Sequence, residues 1–196
     1  MNVLGNCKKG FLFVISAPAG TGKTTLVDKL CEEFPCVVRS ISCTTRAKRK
    51  GEQEGKDYFF LKSEEFEQRI KNHEFLEHAT VFGHSYGTSR PFIEEQQKEG
   101  KHVILVIDTQ GALQIMAKSL PAIFIFIRPP SLAELRKRLQ GRKTETEAVV
   151  EERLSWAEKE MALAPRYHYQ IVNDHLSTAY DVLRAIFIAE EHKNRI

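Results

Sequence analysis

No apolar run in the 196 residues comes near the ~20 that a bilayer-spanning helix needs. The opening residues, Met1 to Lys9, hold no apolar block of the kind a secretory leader carries. Neither a membrane partner nor export is indicated, and the cytoplasm is the default compartment. Cysteines are few, and Cys7, Cys31, Cys36 and Cys43 form no Cys-x-x-Cys pair. Cys31 falls on a helical pattern and Cys36 opens a short apolar run, so reduced structural thiols are expected. Charge of one sign is scarce as well: the net charge is only +3, which carries neither a nucleic-acid nor an anionic-membrane signature. Internal repeats and low-complexity segments are missing. The seven histidines show no ligand spacing; His73, His78 and His84 read as surface or rim residues, and no metal is assigned to protein ligands alone.

What is present suits one domain, with room for inserted lobes: 42% hydrophobic residues for a core and 28% charged residues for a solvated surface. The organising stretch is Ala17-Pro18-Ala19-Gly20-Thr21-Gly22-Lys23-Thr24-Thr25. An apolar strand pattern, Phe11 to Ile15, runs into it, and a helical pattern (Leu26, Val27, Leu30, Phe34) runs out. Strand, glycine-rich turn and helix together make a phosphate cradle of a G-x-x-x-x-G-K-[ST] string. Amides from Gly20 to Thr24 and the helix N-terminus would face phosphate oxygens. Lys23 would reach the β- and γ-phosphates, and the Thr24 hydroxyl would sit on Mg²⁺. Ala17 stands where the general motif has its first glycine. A residue before proline is pushed to extended backbone, which alanine adopts without strain.

Along the chain, Val37 to Ile41 reads as a second buried strand. Asp57 to Leu61 and Phe75 to Phe82 are strand-like, and Ser63 to Asn72 is helical with Ser63 as its cap. Gly83 to Thr88 reads as a loop, and Pro91 to Glu99 as a helix with Gly100 at C′. Val103 to Ile107 is a buried strand ending in Asp108, followed by a short helix, Gly111 to Lys118, and a strand, Ala122 to Ile127. Ser131 caps a helix to Gln140, with Gly141 at C′. Thr144 and Glu147 suggest a capping box for a helix reaching Ala164. Gln170 to Val172 is a last strand, and Leu176 to Glu191 a closing amphipathic helix. Strands alternating with helices predict an α/β fold with a parallel, helix-flanked sheet.

A phosphoryl acceptor needs a second anion site in line with the donor. Arg46 and Arg49 follow a core strand, where parallel sheets bind ligands. Arginine can grip phosphate bidentately, and Tyr58 and Tyr86 could add neutral donors. A solvated basic loop is the alternative, and it suits Lys48 and Lys50 better. A stripe for RNA would want aromatic interleaving, which the run lacks. Arg136, Arg138, Arg142 and Arg153 lie in a stretch that could close over a phosphoryl group, although each alone reads better as a helix-surface charge. Asp108 is placed for the water shell of Mg²⁺ or for substrate, or for capping the helix that follows it.

Further matches are spread in order along the chain: Ser42-x-Thr44-Thr45-Arg46-x-x-Arg49-x-Gly51-Glu52, Gly55-Lys56-Asp57-Tyr58, Glu74-Phe75-Leu76-Glu77, Tyr86-Gly87-Thr88, Ile107-Asp108-x-Gln110-Gly111, Pro129-Pro130-Ser131, Gly141-Arg142-x-Thr144-Glu145 and Val172-Asn173-Asp174. With the phosphate loop they resemble the guanylate kinase family from about Gly10 to Glu191. The resemblance implies one domain over 1–196: a core (10–41, 91–130 and 165–196), an inserted GMP-binding lobe (42–90) and a helical lid (131–160). It implies that Arg46, Arg49, Tyr58 and Tyr86 hold the GMP phosphate, and that Ser42, Glu77, Thr88 and Asp108 face guanine. Arg138, Arg142 and Arg153 would assist transfer, with Asn173 near adenine. The implied substrates are ATP with Mg²⁺, and GMP, dGMP included. No nucleic acid is implied, and the assembly is a monomer or a homodimer.

Glu77 also follows from chemistry. An ionised carboxylate only accepts hydrogen bonds, and guanine's N1–H and N2–H₂ are adjacent donors. Adenine's N1 would repel it, a mismatch that can discriminate by ~10⁴. Four positions depart from the resemblance. Ala17 and Ala19 stand where Gly and Ser are frequent, and Lys48 stands where Pro is. Val106 replaces a common acid and, by strand alternation, shares a face with Asp108, so a carboxylate pair for the metal's waters is missing there. Two other readings stay open: a kinase for AMP, UMP or dTMP, and a guanylate-kinase-like interaction module without catalysis.

Overall fold

The computed structural model describes residues 3–81, 83–141 and 146–194. In chain order the elements are β1 (Leu12–Ser16), α1 (Lys23–Glu33), β2 (Val37–Arg39), β3 (Cys43–Thr44), β4 (Phe59–Phe60), α2 (Ser63–Lys71), β5 (Phe75–Val81) and β6 (His84–Ser89). They continue with α3 (Arg90–Lys98), β7 (His102–Val106), α4 (Thr109–Ala117), β8 (Ala122–Arg128), α5 (Leu132–Gln140), α6 (Glu147–Ala162), β9 (Tyr169–Val172) and α7 (Leu176–His192).

Five strands pair in parallel in the order β2-β7-β1-β8-β9. Alternation along β1 explains why both faces are covered. Phe13 and Ile15 pack toward Leu26, Val27 and Leu30 of α1 and Leu183 and Phe187 of α7. Leu12 and Val14 pack the other way, with Ile93 of α3, Ala112 and Ile115 of α4, and Phe126. Burial on both faces is the reason β1, β7 and β8 read as apolar runs. Because β1 and β7 are parallel neighbours, with Ile15 opposite Val106, the phosphate loop and Asp108 leave the sheet at one edge.

A second sheet, β4-β3-β6-β5, is built from residues 43–89. Here the sequence expectations need correcting. Gly83 to Thr88 is not a loop: His84–Ser89 is β6, antiparallel to both β3 and β5. Its polar side chains hid a strand held by ladder hydrogen bonds on two sides. The strand expected at 57–61 shrinks to Phe59–Phe60, and Phe82 lies outside the described residues. Ser63 does not cap α2; Lys62 holds that position, with no side-chain cap bond. Gly141 is the C-cap of α5 at φ −61 rather than a left-handed C′ residue. Helix α6 starts after Thr146 and stops at Ala162, short of Ala164; Thr144 lies outside the described residues. Ser131 does cap α5, accepting from the Glu134 amide at 3.1 Å.

His102, fully buried, anchors the N-terminal segment. Its Nδ1 accepts from the Phe11 amide (3.1 Å), so Nε2 carries the proton and donates to Glu191 (2.6 Å). Glu191 also accepts from the amides of Gly5 and Asn6. Cys7 lies close to this pair, but a protonated Nε2 offers no lone pair to a cation. None of the four cysteines is in a disulfide. No helix among the described residues is long and apolar enough to cross a membrane.

Candidate active site

The turn after β1 has the geometry its glycines permit. Gly20 and Gly22 hold φ of +88° and +84°, and Gly22 is the N-cap of α1 with no side chain closing its first amides. Those amides are left to an outside acceptor, as an anion site requires. Ala17 is not among the positive-φ residues and needs no glycine. Thr21 Oγ1 donates to Pro18 O (2.8 Å), and Asn173 Nδ2 donates to Thr21 O (2.6 Å). A β-carbon on Gly22 would stand 2.7 Å from that amide nitrogen, and one on Gly20 would stand 3.0 Å from Leu139 of α5. The loop is thus clamped by β9's end and by the base of the 131–160 stretch.

A cavity of about 750 Å³ opens at this edge of the sheet, lined by Ala17, Ala19, Lys23, Asp108, Arg46, Arg49, Tyr86, Arg153, Trp156 and Glu160, among others. Desolvation lowers the Lys23 pKa, and the negative charges of Glu160 and then Asp108 work against that. Asp108 both lines the cavity and caps α4, accepting from the Gly111 amide at 2.9 Å. The capping role and the site role coexist.

Arg46 is buried although charged. Its guanidinium donates to Ala47 O (2.8 Å) and to Glu52 Oε1 (2.7 Å) and lies over the Tyr58 ring. Glu52 also takes the Arg49 amide at 2.8 Å. Its carboxylate therefore ties both ends of the Arg46–Arg49 loop, and these bonds hold its pKa below the usual range. The rings of Tyr58 and Tyr86 meet edge to face at 5.9 Å.

Glu77 of β5 is 4% exposed and hydrogen-bonded by Thr88 of β6. Burial raises its pKa to about 7; the Thr88 bond opposes the rise, and Asp108 adds to it. Lys118, whose ammonium donates to Leu76 O at 2.6 Å, contributes a smaller opposing charge.

The cavity thus brings together Ala17, Ala19, Lys23, Arg46, Arg49, Tyr86, Asp108 and Arg153 of the predicted residues. Ser42, Tyr58, Glu77 and Thr88 are not on its wall. Tyr58 backs Arg46, Glu77 and Thr88 pair across β5 and β6, and Ser42 O takes the Phe59 amide (2.9 Å). Thr24 and Thr25 are exposed in the first turn of α1, while Pro18 and Thr21 are buried beneath the loop. Arg138 is not brought to the cavity: it donates to Asn173 O (2.9 Å) and Glu134 (3.1 Å). Arg142 lies outside the described residues. Glu52 and Glu160 received no role from the sequence. Glu52 could have been suspected as a lone acid closing a basic turn, and Glu160 from its spacing of seven residues after Arg153.

Comparison with known proteins identifies the family. The family model described as guanylate kinase matches residues 9–190. A guanylate kinase of Protochlamydia amoebophila is 57% identical, covering 96% of this chain and 95% of its own. One of Thermotoga maritima is 46% identical, over 94% and 89%. The crystal structure of guanylate kinase from Anaplasma phagocytophilum superposes with a TM-score of 0.78 at 38% identity, covering 98% of this chain and 91% of that one. With a family match over nearly its whole length, and a relative more than half identical to it, this chain belongs to the guanylate kinase family.

Proposed function

We propose that the cavity joins two nucleotide sites end to end, where the chain transfers the γ-phosphoryl group of ATP to GMP, giving ADP and GDP. One observation carries this reading: the open amides of the phosphate loop lie at the same cavity as Arg46, Arg49 and Tyr86. The amides from Gly20 to Thr24, with Lys23, hold the donor's phosphates. Arg46 and Arg49, with Tyr58 and Tyr86, hold the acceptor's phosphate, and Glu52 aims the first of them. Glu77 accepts from guanine's N1–H and N2–H₂, with Thr88, Ser42 and Asp108 around the base. Asn173 fixes the loop on the adenine side.

The Thr24 hydroxyl and the Asp108 carboxylate are hard oxygen donors of the kind Mg²⁺ takes. When bound with ATP, that ion supplies charge neutralisation on the β- and γ-phosphates. No covalent intermediate is needed, because phosphoryl transfer asks the protein for alignment and charge. Residues 42–90 serve as the acceptor lobe and 131–160 as the lid that excludes water, with Arg138, Arg142 and Arg153 its arginines. dGMP belongs with GMP as acceptor. The compartment is the cytoplasm, and the assembly a monomer or a homodimer.

The test is GMP-dependent ATP turnover in the parent and in Lys23→Ala. The variant is expected to lose at least ~10²-fold in kcat, the scale of removing one preorganised charge, at unchanged Tm. Near-normal turnover in the variant contradicts the assignment.

A further inference from the structure

β5 is an outer strand of the second sheet, with β6 as its strand partner. Phe75 stands opposite Ser89 and Glu77 opposite Thr88, so two steps along β5 match one along β6 and Leu76 is a bulge. A bulge re-aims the side chains around it. Phe75 packs in the lobe's own apolar cluster, Leu76 in a cluster of the core, and Glu77 turns to Thr88. The outer edge of this strand is covered by a helix rather than by another strand. Gln114 of α4 donates from Nε2 to His78 O (2.6 Å) and accepts the His78 amide on Oε1 (3.3 Å). Lys118, the C-cap of α4, donates to Leu76 O (2.6 Å). The main chain on either side of Glu77 is therefore tied to α4.

Helix α4 is fixed in its turn. Ala112 and Ile115 are fully buried against the main sheet, and Asp108 caps the first turn. Gly111, Gln114 and Lys118 follow one another by three and four residues, which puts them on one stripe of the helix. Gly111 leaves room for the Glu77 carboxylate, and the other two hold the backbone beside it.

We propose that Gln114 and Lys118 are positioning residues for base recognition: by gripping the main chain at His78 and Leu76, they set where the Glu77 carboxylate stands. This rests on the reading of Glu77 as the acceptor of guanine's N1–H and N2–H₂. Two adjacent donors require the carboxylate in register with both, whereas a single donor tolerates a tilt. A bulged edge strand does not fix that register alone. Discrimination against a purine lacking the second donor then depends on two side chains aimed at backbone rather than at the nucleotide.

The experiment compares kcat/KM for GMP and for inosine monophosphate, which keeps N1–H and lacks N2–H₂, at saturating MgATP. The parent should favour GMP, because the inosine compound leaves a buried acceptor short of its donor. Gln114→Met removes both bonds to His78, an exposed residue whose backbone groups return to water, so Tm should stay near the parent value. The GMP-to-inosine ratio should fall about tenfold through the GMP KM, the scale of a displaced binding group, with the ATP KM unchanged. Lys118→Met should act in the same direction. Lys118→Arg keeps a donor and should restore the ratio.

A merely structural role would lower Tm and depress both acceptors equally. That result, or an unchanged ratio in both Met variants, overturns the proposal. Glu77→Gln tells the two readings apart. It should collapse the ratio, and Gln114→Met in the same background should add nothing; a further fall there also counts against the proposal. If Glu77→Gln keeps the parent's ratio, the base reading falls and the positioning role falls with it. If Glu77→Gln collapses the ratio and the Met variants do not move it, the positioning role falls alone.

Discussion

The carboxylate of Glu77 stands 2.6 Å from where a β-carbon on Gly111 would be. Real β-carbons do not approach an oxygen so closely, so the first turn of α4 leaves room for the residue proposed to read the base. Gly111→Ala should push Glu77 from its bond with Thr88. The GMP KM is expected to rise by about tenfold or more, as misplacement of a binding group does, with the ATP KM within twofold. Steady-state kinetics with each substrate varied in turn checks this; an unchanged GMP KM would mean that guanine is read elsewhere.

Glu77 also predicts a pH dependence. Its carboxyl, raised to about 7 by burial, must be ionised to accept guanine's two donors. As pH falls through 7 the binding form is depleted, so the GMP KM should climb toward about tenfold per unit below that point. Glu77→Gln should flatten the profile and relax base choice. The stability effect has the opposite sign. The folded chain holds a proton that the unfolded chain has lost between the ordinary carboxylate pKa and about 7, so ligand-free stability should fall as pH rises through that window. Thermal melts at pH 5 and pH 7.5, with and without GMP, give the comparison.

Arg46 and Glu52 make the next case. Lysine in place of Arg46 keeps the charge but loses the fork that reaches Ala47 O, Glu52 and a phosphate together. A charge-assisted hydrogen bond contributes about 1.5–3 kcal/mol, so Arg46→Lys should raise the GMP KM roughly 10- to 100-fold. Glu52→Gln frees the same guanidinium less completely, and a smaller rise is expected. Both should leave ADP binding at the phosphate loop unchanged.

Asn173 serves the loop through Thr21 O. Asn173→Ala leaves a buried carbonyl unpaired, costing about 1–3 kcal/mol. For a chain of this size, that should lower Tm by roughly 2–10 °C. ATP binding should weaken with it, while GMP binding alone should not. A variant with the parent's Tm would show that the turn stands without the clamp.

Much of this was legible in the residues. Core strands β1, β7 and β8 declare themselves because burial on both faces forces continuous apolar runs. The phosphate loop declares itself because its glycines sit between such a strand and a helix. The acceptor lobe was harder to read. β6 is written in His84, Ser85, Tyr86, Gly87 and Thr88, residues with no apolar alternation; only pairing with β3 and β5 makes them a strand. Distances were hidden as well: nothing in the sequence says that Glu52 closes on Arg46, or that Glu160 lines the same cavity as Lys23. Arg138 shows the converse: the family resemblance groups it with the lid arginines, yet here it is bonded to the Asn173 carbonyl.

The central claim is that a donor triphosphate and a guanine monophosphate meet in one cavity. Phosphoryl transfer from ATP to GMP, dGMP, AMP, UMP and dTMP, measured at equal concentrations in one buffer with Mg²⁺, tests it most directly. Turnover with GMP should exceed that with AMP by ~10⁴ in kcat/KM, since AMP would leave Glu77 buried against an acceptor. A chain that phosphorylated AMP as well as GMP, or neither, would contradict the account.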